Sequence, residues 1–128
     1  MKGPRSVRLE ERGSASVELV VLMPLLLLIL FSSVQGAVYY HASALAMAAA
    51  QEGARAASRE NGTLAAGTSA ASAFVTDTAG DSLTAVTIRG SRTAAIASIT
   101  VTGSSLSLVP GWTPTVEQSA SLPVERIT

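Results

Sequence analysis

No Asp, Glu, Lys or Arg separates Glu18 from Glu52, and the first part of that interval, Leu19 to Phe31 (LVVLMPLLLLILF), is apolar throughout. A helix that is greasy on every side has to be covered by protein or by lipid, because no face of it suits water. The block itself is too short to cross a bilayer, which takes about 20 residues. Extension through Ser32, Ser33, Val34, Gln35, Gly36, Ala37 and Val38 to the Tyr39-Tyr40 pair supplies the length. Serine hydroxyls can bond back to helix carbonyls, and tyrosines suit the membrane–water boundary. The run therefore predicts a spanning helix from about Ala15 to Tyr40. Within it Pro24 removes the hydrogen bond to Val20 and kinks the helix.

The helical signal continues past the tyrosines. HASALAMAAAQEGARAASRE, residues 41–60, is rich in alanine and free of proline and β-branched residues. Its small side chains invite close approach by other helices. Arg55 and Arg59 favour the C-terminal end of the macrodipole, and Asn61-Gly62 supplies a stop. One helix from Ala15 to Glu60 would be about 46 residues, or roughly 69 Å long. A second helix is expected from Leu64 to about Thr78, with Thr63 as its N-cap.

Beyond Gly80 the apolar period falls to two. LTAVTIRG (83–90) and AAIASITVTG (94–103) read as strands separated by a break at Gly90-Ser91-Arg92. Leu106–Val109 and Val116–Leu122 read as further strands, divided by the PGWTP turn at 110–114. The expected fold class is α+β: a long N-terminal transmembrane helix, a short second helix and a small antiparallel sheet. The expected organisation is a leader at 1–13, the long helix at 14–60 and a small extracytoplasmic domain at 61–128. With two Phe, two Tyr and one Trp in the chain, its core should be thin.

Formal charge is zero, so the sequence offers no electrostatic case for nucleic-acid binding. The distribution is uneven: Lys2, Arg5, Arg8 and Arg12 outnumber Glu10 and Glu11 before the apolar run. Such a basic stub holds the N-terminus on the cytoplasmic side and places the C-terminal domain outside. No cysteine is present, which excludes disulfides, thiolate metal sites and cysteine nucleophiles.

Glu18 sits at the threshold of the apolar run, five residues after Gly13, where a carboxylate costs a few kcal/mol unless it snorkels or pairs. Three readings compete. A secretory signal peptide would be cut near Val34-Gln35-Gly36 and release a small binding domain. A plain single-span anchor would make Gly13 and Glu18 incidental. The third reading is a cut after Gly13 on the cytoplasmic face, which leaves Ser14 as a new ammonium terminus. That ammonium and the Glu18 carboxylate could neutralise each other between neighbouring helices in a medium where an unpaired charge is expensive.

Gly13-Ser14-Ala15-Ser16-Val17-Glu18, followed by Leu22-Met23-Pro24-Leu25-Leu26-Leu27, resembles the TadE-like family, minor pseudopilins of the tight-adherence (Tad) pilus within the type IV pilus superfamily. Ala50-Gln51-Glu52-Gly53-Ala54-Arg55-Ala56 resembles the small-residue segment of the same family. Leu19 departs from it, since Phe or Tyr often follows the glutamate there. The resemblance implies that Gly13 is the last leader residue and Ser14 the first mature one, the bond between them being cut by a membrane aspartyl prepilin peptidase. It implies a role for Glu18 in processing or assembly. It also implies as partners that peptidase, the major pilin, other minor pseudopilins and the pilus assembly platform with its ATPase. The chain would be their substrate or component, a single-pass membrane protein and not an enzyme, with no cofactor and no small-molecule substrate.

The remaining candidates read as structural. His41, the sole histidine, lacks companions for a metal or catalytic site. Asp77 and Asp81 lack the oxygen-ligand loop of a calcium site and read as turn chemistry. Glu52, Arg55 and Arg59 read as spaced ion pairs on a solvated face. Asn61-Gly62-Thr63 matches a glycosylation sequon but is explained by the helix stop. Trp112 reads as a turn anchor packed on the sheet.

Overall fold

A computed structural model describes the backbone of residues 3–126 and the side chains of residues 13–126. The elements in chain order are α1 (Gly3–Ser58), α2 (Leu64–Phe74), β1 (Leu83–Arg92), β2 (Ile96–Ser105) and β3 (Thr115–Pro123). This is the expected α+β succession of a long helix, a short helix and a three-stranded antiparallel sheet. The chain divides into two units, Met1–Val34 and Gln35–Thr128.

In the first unit, the described residues of α1 bury nothing. Every large apolar side chain from Val17 to Phe31 is about half exposed or more, whichever way it points. Pro24 lies inside the helix. The Ser33 hydroxyl donates to the Ile29 carbonyl at 2.8 Å, the back-bond that lets serine sit in an apolar helix.

In the second unit, α1 contributes one face of small residues. Ala42, Ala46, Ala49, Ala50, Gly53, Ala54 and Ala57 are buried and fall three or four residues apart, on one side of a helix. Close approach is what this face provides, and it is used within the chain. A Cβ at Gly53 would stand 2.8 Å from the Gly67 carbonyl oxygen, and a Cβ at Gly67 2.8 Å from that of Gly53. The two helices therefore cross backbone to backbone, with Ile99 of β2 closing the crossing from below; its Cγ2 lies 3.1 Å from the would-be Gly53 Cβ. The largest fully buried side chains are Ile99, Val101 and Val116, so the core is thin and aliphatic as composition suggests.

Helix α2 starts where expected: the Thr63 hydroxyl accepts the Ala66 N–H at 3.0 Å. It stops being α-helical at Phe74. Val75–Ala79 form a π-helical turn in which the Gly80 N–H reaches the Val75 carbonyl, followed by a 3-10 turn at Gly80–Ser82. The expected end near Thr78 thus falls inside a widened turn. At the end of α1, Gly62 N–H closes a turn on the Arg59 carbonyl at 2.8 Å, and neither Asn61 nor Gly62 takes a positive φ. The last carbonyls of α1 are met from elsewhere: Arg92 Nε donates to Ala57 O and the Glu125 N–H to Ser58 O, both at 2.8 Å.

The sheet has the order β1-β2-β3. Three features differ from expectation. The hairpin break falls at Thr93–Ala95, where the Thr93 hydroxyl accepts the N–H groups of Ala95 and Ile96. Gly90-Ser91-Arg92 instead belong to β1; Gly90 is there for packing, because methyls of Leu64 and Ile99 occupy the space a Cβ would need. Second, β1 carries a bulge between Thr84 and Thr87, with Ala85 at φ 51°. The extra residue shifts the phase, so that Leu83, Val86 and Ile88 all pack toward the core, which strict alternation from Leu83 would forbid.

Third, Leu106–Val109 is no strand. The Gln35 side-chain amide takes the place of a strand partner: its Nε2 donates to Leu106 O at 3.0 Å and its Oε1 accepts Leu108 N–H at 2.7 Å. The Ser107 hydroxyl satisfies Val109 in the same way. PGWTP is a turn, as read: Trp112 N–H reaches Val109 O at 3.3 Å, with Pro110 at the second position and Gly111 at φ 79° at the third.

Candidate functional site

Gly13, Ser14 and Glu18 lie on α1, and all three are solvent-exposed. A glycine inside a helix costs roughly 1 kcal/mol relative to alanine, so Gly13 weakens α1 locally at the Gly13–Ser14 bond. No side chain or distant backbone lies within 4 Å of where a Gly13 Cβ would be. The bond is accessible in that sense. Ser14 and Glu18 are four residues apart and share a helix face, with Cβ atoms about 5–6 Å apart in such geometry. An ammonium created at Ser14 would therefore begin one turn from the Glu18 carboxylate and at the positive end of the shortened helix dipole, where negative charge is favoured. Lys2, Arg5, Arg8 and Arg12 lie outside the residues whose side chains are described.

The helix that follows is the other half of the site. Its one candidate membrane span has a mean hydropathy of 2.5 with none of its most apolar window buried. Among the described residues, none covers the stretch from Gly13 to Val34.

The other candidates separate into ordinary roles. His41, Asp77 and Asp81 are exposed, and no cluster of three metal-ligating side chains occurs among the described residues. Glu52 and Arg55 form one exposed ion pair at 3.7 Å, while Gly53 between them makes the helix crossing. Trp112 is 51% exposed in its turn and is not among the side chains that pack on the buried core. The open groove between α2 and β1, lined by Thr68, Ser72, Val75, Val86 and Ile88, holds no titratable side chain. Sequence reading missed Gln35, Tyr39 and Arg92 as structural donors. The only signal for Gln35 was its polarity inside a long uncharged stretch.

The residues brought forward by this geometry, from Gly13 through the Gly53 crossing, coincide with the outcome of comparison with known proteins. Residues 13–55 match the family of TadE-like proteins. The matched residues make up about a third of the chain and include its apolar N-terminal helix. The match runs from the glycine of the candidate cut to the arginine that follows the helix crossing. No curated protein and no solved structure matches the chain. The TadE-like region thus joins an exposed apolar half, single-pass in character, to an alanine face buried in the chain's own head.

Proposed function

We propose that the chain is a minor pseudopilin of a Tad-type pilus, cut by a prepilin peptidase between Gly13 and Ser14 and inserted in the membrane by the apolar part of α1. The observation that carries this reading is the TadE-like match opening on Gly13, with Glu18 five residues on and an uncovered apolar helix after it. The leader stays on the cytoplasmic side by its basic residues, and the head faces outward. Pro24 lacks the N–H that would bond Val20 and bends the helix there.

The mechanism is structural. Before assembly the bilayer covers the side chains between Val17 and Val34. Extraction by the assembly platform transfers them to the helices of the major pilin and other minor pseudopilins, so apolar surface never has to meet water. Glu18 is the register device: in a dry helix bundle its carboxylate is stable only beside a cation, and the Ser14 ammonium of its own or a neighbouring subunit supplies one. Recognition by the peptidase needs the chain extended at the cut, which Gly13 permits.

Replacing Glu18 with Ala tests this directly. Membrane insertion should be unchanged, while processing or incorporation into pili falls steeply. Normal piliation by the Glu18→Ala chain would remove the role assigned to the carboxylate.

A further inference from the structure

The head exposes few large apolar side chains, and they are not scattered. Among residues 35–126, all of them except Ile96 fall in two places: Tyr39-Tyr40, and the loop between β2 and β3, which presents Leu106 (53% exposed), Leu108, Val109 and Trp112. The two places are tied together. Gln35 holds Leu106 and Leu108 through its side-chain amide, and Tyr39 Oη donates to the Thr115 carbonyl at 3.3 Å where the loop re-enters the sheet. The base of the loop is closed by Ser105 N–H on Pro114 O at 3.0 Å. The loop is therefore a built feature fixed to the turn of α1 that spans Gln35 to Tyr39.

That turn is where the chain leaves the apolar run, since Gln35 directly follows Val34. A span from about Ala15 to Val34 is about 20 residues, or roughly 30 Å of helix, which matches the hydrocarbon thickness of a bilayer. Gln35 then stands at the boundary, and so does the loop it holds. From Thr93 to Val116 the chain has no charged residue, so nothing in the loop resists entry. Tryptophan and tyrosine are the side chains most at home at that depth, where the ring is apolar and the N–H or O–H stays wet.

We infer that the loop Leu106–Pro114 is a lipid-interface anchor: Leu108, Val109 and Trp112 enter the headgroup–acyl boundary of the leaflet on the head's side. This rests on the proposed insertion of the apolar part of α1 in the membrane, with the span ending at Val34. Such insertion reaches about 5–10 Å into the boundary. With the loop at that depth, the span ends at Val34 and not at Tyr40.

Trp112 is the only tryptophan in the chain, so its fluorescence reports on this loop alone. The full chain is reconstituted in phosphatidylcholine vesicles carrying nitroxide-labelled lipids, with the label either near the headgroup or deep in the acyl chain, and vesicle flotation is measured on the same samples. The inference predicts flotation, a blue-shifted emission, and stronger quenching by the shallow label than by the deep one. Leu108→Ser combined with Val109→Ser should float equally and lose most of the shallow quenching. A chain that floats but whose Trp112 stays open to aqueous acrylamide and unquenched by lipid overturns the anchor and leaves the span intact. A blue shift without lipid quenching that grows with protein-to-lipid ratio also overturns it, in favour of a second copy covering the loop. Failure to float overturns the span and the anchor together.

Discussion

The two halves of the TadE-like region differ in what covers them. Residues 13–34 leave their large apolar side chains exposed around the whole helix, whereas residues 42–57 bury a face made almost entirely of alanine and one glycine. The first half is rich in apolar surface that no described residue hides. The second hides itself, by letting α2 and β2 come so near that a single methyl group would not fit. The lesson is that adjacent parts of one helix and one family pattern answer to different constraints. Bulk without a partner leaves a surface for something outside the described residues to cover, and smallness with a partner serves the fold.

The widest separation between the halves should come from Gly53→Val. A side chain there meets the Gly67 carbonyl, which is backbone and cannot move aside as a side-chain tip could. The head should lose at least about 3 kcal/mol, because overpacking that strains backbone lies at the upper end of its usual range. Thermal unfolding of the full chain in detergent, followed by circular dichroism, measures it. If Gly53 instead served a neighbouring subunit, the melting of the isolated chain would not change. Thr63→Ala is a smaller probe of the same inward half. Loss of the cap on Ala66 should cost about 1 kcal/mol and lower the midpoint by about 4–8 °C.

How far the sequence discloses each half follows the same division. Period-two alternation revealed three strands' worth of sheet and the Pro110-Gly111 turn, and Thr63 announced its helix, because these signals are local. The bulge at Ala85 was also written locally, in the spacing of Leu83, Val86 and Ile88, which fits one face only if a residue is skipped. Leu106–Val109 could not be read correctly from its own residues. Its apolar alternation is that of a strand, and what decides otherwise is a glutamine amide distant in sequence. The same holds for Arg92, whose guanidinium caps a helix that ended long before it in the chain. At the candidate site, Gly13 and Glu18 were legible as a pattern, since an acid at the mouth of an apolar run is conspicuous. Among the described residues neither gains a contact, so the fold adds exposure and helix register to that pattern.

The smallest expected effect sharpens the inward account at its one strained point. Ala85 holds a left-handed conformation that costs a non-glycine residue about 1 kcal/mol or slightly more. Ala85→Gly should therefore leave the sheet unchanged and raise stability by up to about 0.5 kcal/mol, once glycine's larger entropy loss is set against the relieved strain. A drop in stability would mean that the bulge is held at no cost by its surroundings.

The central claim is about the outward half, and the N-terminus of the protein isolated from cells that assemble the pilus tests it most directly. The account predicts a chain beginning at Ser14, with loss of that product when the peptidase is absent. A chain beginning near Ala37 would make the apolar run a discarded signal peptide, and one retaining Met1 or Lys2 would make it a resident anchor; either result contradicts a pseudopilin cut after Gly13.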